Sequence, residues 1–349
     1  MKLATFQDGS RDGQLMVVSR DLTQAQFATG IATRLQQVLD DWNFLSPQLE
    51  SMYQSLNSGR APRAFAFDAA TCMAPLPRAY QWVDGSAYLN HAILLRRARG
   101  QEPTEKMRTD PLMYQGGSDD LLGPHDEVRL ARVSWGLDFE AELAVITGDV
   151  RQGARADEAL DGVRLLALVN DWTLRERVAP ELAKGFGFLQ SKPATAFAPL
   201  VLTPDECGAA WQGGRLQARM QVQLNGERVA QCDTGPEMVF HFGQLIAHLA
   251  KTRRVRAGSI VGSGTVSNED RSHGVCCLAE RRAIETIDDG EPRTPWLQHG
   301  DRVRIDCVDA DGRSLFGAID QRVVPLREPL REREAAANDA EVEPAVSPA

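Results

Sequence analysis

The apolar and polar positions divide the chain by their period. Lys2–Phe6 and Gln14–Ser19 are short apolar stretches joined by DGSRDG, whose glycines and aspartates suit a tight turn between two strands. Ile31, Leu35, Val38, Leu39 and Trp42 then recur at helical spacing. Residues 61–82 are punctuated by proline and read as the join to a second region. From there to about Val324 strands dominate. Leu216, Met220, Val222 and Leu224 alternate with polar residues, and the run turns on Asn225–Gly226, a strong hairpin signal. An amphipathic helix over PEMVFHFGQLIAHLAK places Met238, Phe242, Leu245 and Leu249 on one face, with Pro236 near its start. After residue 326 the charged, alanine- and proline-rich sequence lacks a core-forming face and reads as a disordered tail. The pattern predicts a small N-terminal domain at 1–75, a larger domain at 76–326 and the tail at 327–349.

Composition narrows the class. Of the 349 residues, 43% are hydrophobic and 25% charged, as in a soluble globular enzyme. No apolar run is long enough to span a bilayer; Asp171 interrupts ALVNDWTL, and LAVITG is core-sized. The first residues carry no apolar leader, so secretion is not expected. Cys72, Cys207, Cys232, Cys276, Cys277 and Cys307 form no C-x-x-C and read as reduced thiols of a cytoplasmic protein. The pair Cys276–Cys277, close to His273, admits a soft-metal reading, but buried small hydrophobes account for it better. A net charge of −9 without a basic stripe argues against nucleic acid as a partner.

Where the acids sit matters more. In DFEAELAVITG (138–148), Glu140 and Glu142 are two apart, so on a strand both leave the same face. Their apolar neighbours suggest a buried strand, where paired carboxylates repel unless a cation neutralises them. Alternatively they sit on a solvent-facing edge. In LLALVNDWTLRER (165–177) an apolar run ends at Asp171, either at the mouth of a buried element or as the cap of a following helix. In WVDGSAYLNHAILL (82–95), Asp84 and His91 lie seven apart, with a glycine after the aspartate to free the loop; His91 is a candidate base or a structural residue. The glycine-rich RVRAGSIVGSGTVSNED (254–270) is no nucleotide cradle, because it has neither G-K-[ST] nor G-x-G-x-x-G; Gly262 and Gly264 suit close backbone packing. No G-x-S-x-G elbow is present, which argues against a serine triad.

In order, Asp84 and His91, PLMYQGG (111–117), Glu140 and Glu142, NDWTLR (170–175), Lys192 in FGFLQSKPAT and GSGTVS (262–267) resemble the fumarylacetoacetate hydrolase family over roughly residues 80–324. The opening MKLATFQDGSRDGQL resembles the small leading domain of some bacterial members. The resemblance implies a β-rich α+β fold, a small N-terminal β domain before a mixed β-sheet roll, and a homodimer. It implies that Asp84, Glu140, Glu142 and Asp171 ligate a divalent cation, Mg²⁺ first, then Ca²⁺ or Mn²⁺, since oxygen-only ligands suit hard cations. His91 matches the family's base, with Glu280 in VCCLAERR as its acidic partner. Arg175 and Lys192 match groups that stabilise developing negative charge, and Tyr114 and Thr265 match substrate-contacting positions.

The implied reaction is hydrolysis of a carbon–carbon bond in a 1,3-diketo acid, fumarylacetoacetate to fumarate and acetoacetate. Acylpyruvate or fumarylpyruvate hydrolysis and oxaloacetate-type decarboxylation are alternatives, and a metal-binding module without turnover is a different class. The chain departs from the family's pattern in three places. Val178 stands where a glutamine is usual, the lysine segment is one residue out of step, which argues against Thr195 as a partner of the site, and no arginine beyond the histidine matches cleanly. If that segment is helical, Arg99 shares a face with His91 and Arg97 points away, so Arg99 is the expected contact for a remote substrate carboxylate.

Overall fold

The computed structural model describes residues 1–326; the expected tail at 327–349 lies outside the described residues. A ten-stranded sheet runs through the molecule in the order Phe65–Ala66, Gln24–Phe27, Gln14–Val18, Lys2–Phe6, Ala196–Leu202, Val163–Asn170, Ala141–Thr147, Ile260–Thr265, Trp82–Gly85, Met113–Gly116. The first hairpin forms as its turn residues direct, with Lys2 opposite Val18. Its strand Lys2–Phe6 also pairs antiparallel with Ala196–Leu202, Leu3 opposite Val201. The N-terminal strands therefore extend the sheet that carries the later ones, a pairing across almost two hundred residues that no local pattern announces.

The central strands read as unbroken apolar runs because both sheet faces are covered. Leu143, Val145, Leu166 and Leu168 enter one buried cluster, while Ala144, Ile146, Leu165 and Ala167 enter another on the opposite side. A second, five-stranded sheet has the order Glu227–Asp233, Arg219–Leu224, Arg302–Val308, Ile319–Pro325, Val128–Leu130. Its hairpin turns on Asn225 and Gly226, with φ of 54° and 86°, the left-handed pair that a two-residue turn requires. The architecture is strand-rich α+β with two large sheets.

Two helical readings shift. The run from Ile31 to Trp42 is two helices, Leu35–Asp40 and Trp42–Asn57, separated at Asp41, whose φ of −130° and ψ of 49° are not helical. The amphipathic helix spans only Phe242–Leu249 and is preceded by His241 in extended conformation. Pro236 and Met238 lie outside it, and Met238 instead bridges to Tyr88. Apolar spacing continues through that segment, but the backbone does not.

One irregularity aims the sheet at the site. Along Ile260–Thr265, Gly262 faces Ala144 but Thr265 faces Glu142, so the strand carries one extra residue. Gly264 takes φ +76°, and a Cβ there would lie 2.3 Å from the Gly85 carbonyl oxygen. Gly85 itself lies within a strand, where a Cβ would come to 3.1 Å from the Gly262 carbonyl oxygen, instead of freeing a loop. Replacing Gly264 with alanine should cost about 2–5 kcal/mol in urea unfolding, from the left-handed backbone and the overlap together. Gly153, at φ +73° with nothing within 4 Å, should lose only about 1–2 kcal/mol on the same change. Equal losses would contradict the close-packing account.

Candidate active site

Strand ends bring the acids together. Trp82–Gly85 runs parallel to Ile260–Thr265, which pairs with Ala141–Thr147, which pairs with Val163–Asn170. Asp84, Glu142 and Asp171 thereby meet, each with a carboxylate oxygen within 4.8 Å of the others. All three are buried. Asp84 Oδ1 accepts the Gly264 amide at 2.9 Å, so the extra residue of the neighbouring strand holds it. Asp171 follows the strand end and does not cap the next helix, which begins at Arg175 with Leu174 before it. Its Oδ1 accepts Thr195 Oγ1 at 2.9 Å and its Oδ2 accepts Lys192 Nζ at 2.6 Å and the Tyr114 hydroxyl. Glu142 Oε2 is buried and, among the described residues, has no hydrogen-bond partner.

Glu140 sits just before its strand and outside that trio. Both its oxygens are occupied. Oε1 accepts Arg175 Nη2 at 2.7 Å and Thr265 Oγ1 at 2.9 Å; Oε2 accepts Lys192 Nζ at 2.6 Å and Thr173 Oγ1 at 2.9 Å. Backbone locks fix its place, because Asn170 Oδ1 accepts the Glu140 amide and the Asp171 amide donates to the Glu140 carbonyl. His91 lies on the helix Leu89–Arg97 and Glu280 on the helix Leu278–Asp289. His91 Nδ1 is 2.8 Å from Glu280 Oε1, and its Nε2 faces Glu140 Oε1 at 4.0 Å.

A model of the fumarylacetoacetate (FAA) hydrolase C-terminal region matches residues 81–324, and one of the fumarylacetoacetase N-terminal domain 2 matches residues 1–78. The chain belongs to the fumarylacetoacetate hydrolase family. A 2,4-didehydro-3-deoxy-L-rhamnonate hydrolase from Sphingomonas sp. (strain SKA58) is 30% identical over 184 residues, 52% of this chain and 59% of that relative. The chain thus spans less than two thirds of that relative's length. The mitochondrial oxaloacetate tautomerase FAHD2B of Homo sapiens is 25% identical over 272 residues, 71% of this chain and 82% of its own. A maleylpyruvate hydrolase from Sphingobium sp. SYK-6, solved with manganese(II) and pyruvate, superposes with a TM-score of 0.60 at 18% identity, covering 93% of this chain and 99% of that one. The family spans hydrolases and tautomerases, and the shared fold carries these different activities.

Several expected residues take other positions or partners in this family site. The helix bearing His91 ends at Arg97, so Arg99 lies in the exposed turn beyond it and the helical spacing that selected it does not apply. Thr265 is buried between the two glutamates and donates to Glu140, not outward. Thr195 does reach the site despite the offset in its segment, through Asp171. Cys277 stands beside His91, 3.9 Å from Nδ1, whereas His273 turns its ring to Asn268. Asp138 went unnoticed. It accepts Arg175 Nε at 2.9 Å, and the alternation that singled out Glu140 and Glu142 reaches it one step earlier. Thr173 was also missed, and nothing in its local pattern marks it.

The charges are unevenly shared. Five buried carboxylates (Asp84, Asp138, Glu140, Glu142, Asp171) face two permanent cations, Arg175 and Lys192. Burial would raise the Glu140 carboxyl, but Arg175 and Lys192 outweigh it and hold it well below the usual range. Burial would lower Lys192, but Asp171 and Glu140 keep it above its ordinary value. Burial and the neighbouring Asp171 push Asp84 up to about 8, and burial with Asp84 and Asp171 pushes Glu142 well up. Because both folded-state values exceed the unfolded ones, their stabilising contribution is complete below about pH 4 and is lost as pH rises, for Asp84 through about 8. In differential scanning fluorimetry, Mg²⁺ or Mn²⁺ should therefore raise the melting temperature more at pH 8 than at pH 5, relative to chelator-treated protein. An equal or absent shift would contradict an acid cluster short of positive charge.

Proposed function

We propose that the chain hydrolyses a carbon–carbon bond in a small 1,3-diketo acid, with fumarylacetoacetate, giving fumarate and acetoacetate, as the first candidate. The observation that carries this reading is the His91–Glu280 contact beside the acid cluster. A decarboxylase or a non-catalytic metal module has no need of a histidine so oriented. Asp84, Glu142 and Asp171 would hold a divalent cation, with Glu140 adjoining them. The orphaned oxygen of Glu142 and the excess of carboxylates fit such an ion, Mg²⁺ ahead of Mn²⁺ and Ca²⁺. When bound, it would supply electrophilic polarisation of the diketone oxygens.

The chain's own residues divide the remaining work. A carboxylate can only accept, so Glu280 draws the proton to Nδ1 and leaves Nε2 free as a base. Nε2 takes a proton from water, the water oxygen bonds to the carbonyl carbon, and the carbon–carbon bond breaks with its electron pair leaving on the neighbouring carbon. The imidazolium then returns the proton to that carbon. Lys192 and Arg175 act on the leaving enolate through their field, since the N–H groups nearest the acids are already spent on carboxylates. Tyr114, whose ring lies 5.0 Å from Lys192 Nζ and packs edge-on against Phe188, would wall the substrate.

A second reading, hydrolysis of neutral acylpyruvates, is favoured by the exposed position of Arg99, which leaves a remote fumaryl carboxylate, in fumarylacetoacetate or fumarylpyruvate alike, without the cation assigned to it. Six free cysteines support a cytoplasmic setting, and the exposed Leu182, Phe186 and Leu189 offer apolar surface for a homodimer.

His91→Ala should lower turnover by roughly 10²–10⁴-fold while Mn²⁺ affinity, measured by calorimetry, stays nearly unchanged. Parallel loss of metal binding would make His91 a ligand or a structural residue. Absence of turnover by the wild type on fumarylacetoacetate and on acylpyruvates, with Mg²⁺ or Mn²⁺, would overturn the hydrolytic reading.

A further inference from the structure

We propose that Asp138 is a positioning residue for the His91–Glu280 pair, an inference that rests on the hydrolytic reading above. Asp138 is fully buried, and its carboxylate takes three donors. Oδ1 accepts the Leu278 amide at 2.7 Å, and Oδ2 accepts the Ala279 amide and Arg175 Nε, each at 2.9 Å. Leu278 and Ala279 are the first two residues of the helix Leu278–Asp289, and Glu280 is the third. The first amides of a helix have no partner within it, and the positive end of the helix dipole favours an anion there. Asp138 therefore determines where this helix starts, and with it where the Glu280 carboxylate stands against His91.

The neighbouring contacts leave little freedom. Cys277, the residue before the helix, accepts the Glu280 amide on its sulfur at 3.4 Å and sits 3.9 Å from His91 Nδ1. Asp138 itself lies on the short strand Leu137–Asp138, opposite Thr173. Arg175 spans from Asp138 to Glu140 through its Nε and Nη2. One carboxylate thus ties the base pair on one side to the acid cluster on the other. With both oxygens engaged by protein donors, and outside the Asp84–Glu142–Asp171 group, it is a strut and not a ligand.

Removing it would strip two buried amides and Arg175 Nε of their acceptor and free the helix start. Displacements near 1 Å at a catalytic group cost on the order of a hundredfold. In the full chain loaded with Mg²⁺, Asp138→Ala should lower kcat on the diketo acid roughly 10–100-fold. KM and Mn²⁺ affinity should stay within roughly threefold of wild type. Asp138→Asn, which keeps an acceptor oxygen, should recover part of the loss. The double variant Asp138→Ala/Glu280→Gln should be no slower than the slower single variant, because both act through one pair.

A readout independent of turnover is the ¹⁵N-histidine NMR signal of the hydrogen-bonded His91 Nδ1–H, assigned by its loss in His91→Gln. It should disappear in Asp138→Ala as it does in Glu280→Gln. If Asp138→Ala does not fold, Asp138→Asn carries the same readouts with a weakened signal expected. Multiplicative losses, KM or metal affinity moving with kcat, or an unchanged His91 signal would overturn the proposal. If the wild type turns over no diketo acid, the functional reading fails, and the NMR arm still decides whether Asp138 positions the pair.

Discussion

Negative charge taken out of water is the constraint on which this structure turns. Carboxylates that converge in a buried site repel one another and lose hydration, so each must find a donor, a proton or a cation. Lys192 and Arg175 neutralise the side of the cluster formed by Asp138, Glu140 and Asp171. Neither cation pairs with Asp84 or Glu142, which Lys192 reaches only through its field. Asp84 Oδ1 accepts a backbone amide, and among the described residues Glu142 Oε2 has no donor. The site is therefore asymmetric, satisfied on one side and short of positive charge on the other.

The fold bears the cost of this by rigid placement. The acids arise where buried strands end, and glycines at 85, 262 and 264 let those strands approach closely. A Cβ on Gly262 would lie 2.3 Å from Asp84 Oδ1. Clusters of apolar side chains on both faces of the sheet keep the strands in place beneath the charges. The histidine and its partner come from two helices that pack together, so the His91–Glu280 pair and the acid cluster are built by separate elements that meet at Glu140 and Arg175.

Legibility from sequence followed how local each signal was. The Asn225–Gly226 hairpin is written in adjacent residues and could be read directly, whereas the strand expected to carry both glutamates begins at Ala141, so that Glu142 joins the clustered acids and Glu140 stands outside them. The likeness to a family in the order of its motifs placed His91 and Glu280 in one site, though 189 positions separate them. Helix limits were less readable, because apolar spacing persists where the backbone has left the helix, as at Met238, or charge continues past its end, as at Arg99. Pairings between distant strands, such as Lys2–Phe6 with Ala196–Leu202, leave no local trace. Asp138 was visible in the same alternation as its neighbours, but its partners, two helix amides far along the chain, were not.

The central claim is that Asp84, Glu142 and Asp171 form a hard-cation site within a family hydrolase. Anomalous diffraction at the manganese edge from crystals grown with Mn²⁺ tests it most directly. The account predicts one peak among those three carboxylates, with metal–oxygen distances of about 2.0–2.6 Å. No peak there, or a peak on the other clustered group of donors, His91, Cys277 and Glu280, would contradict it.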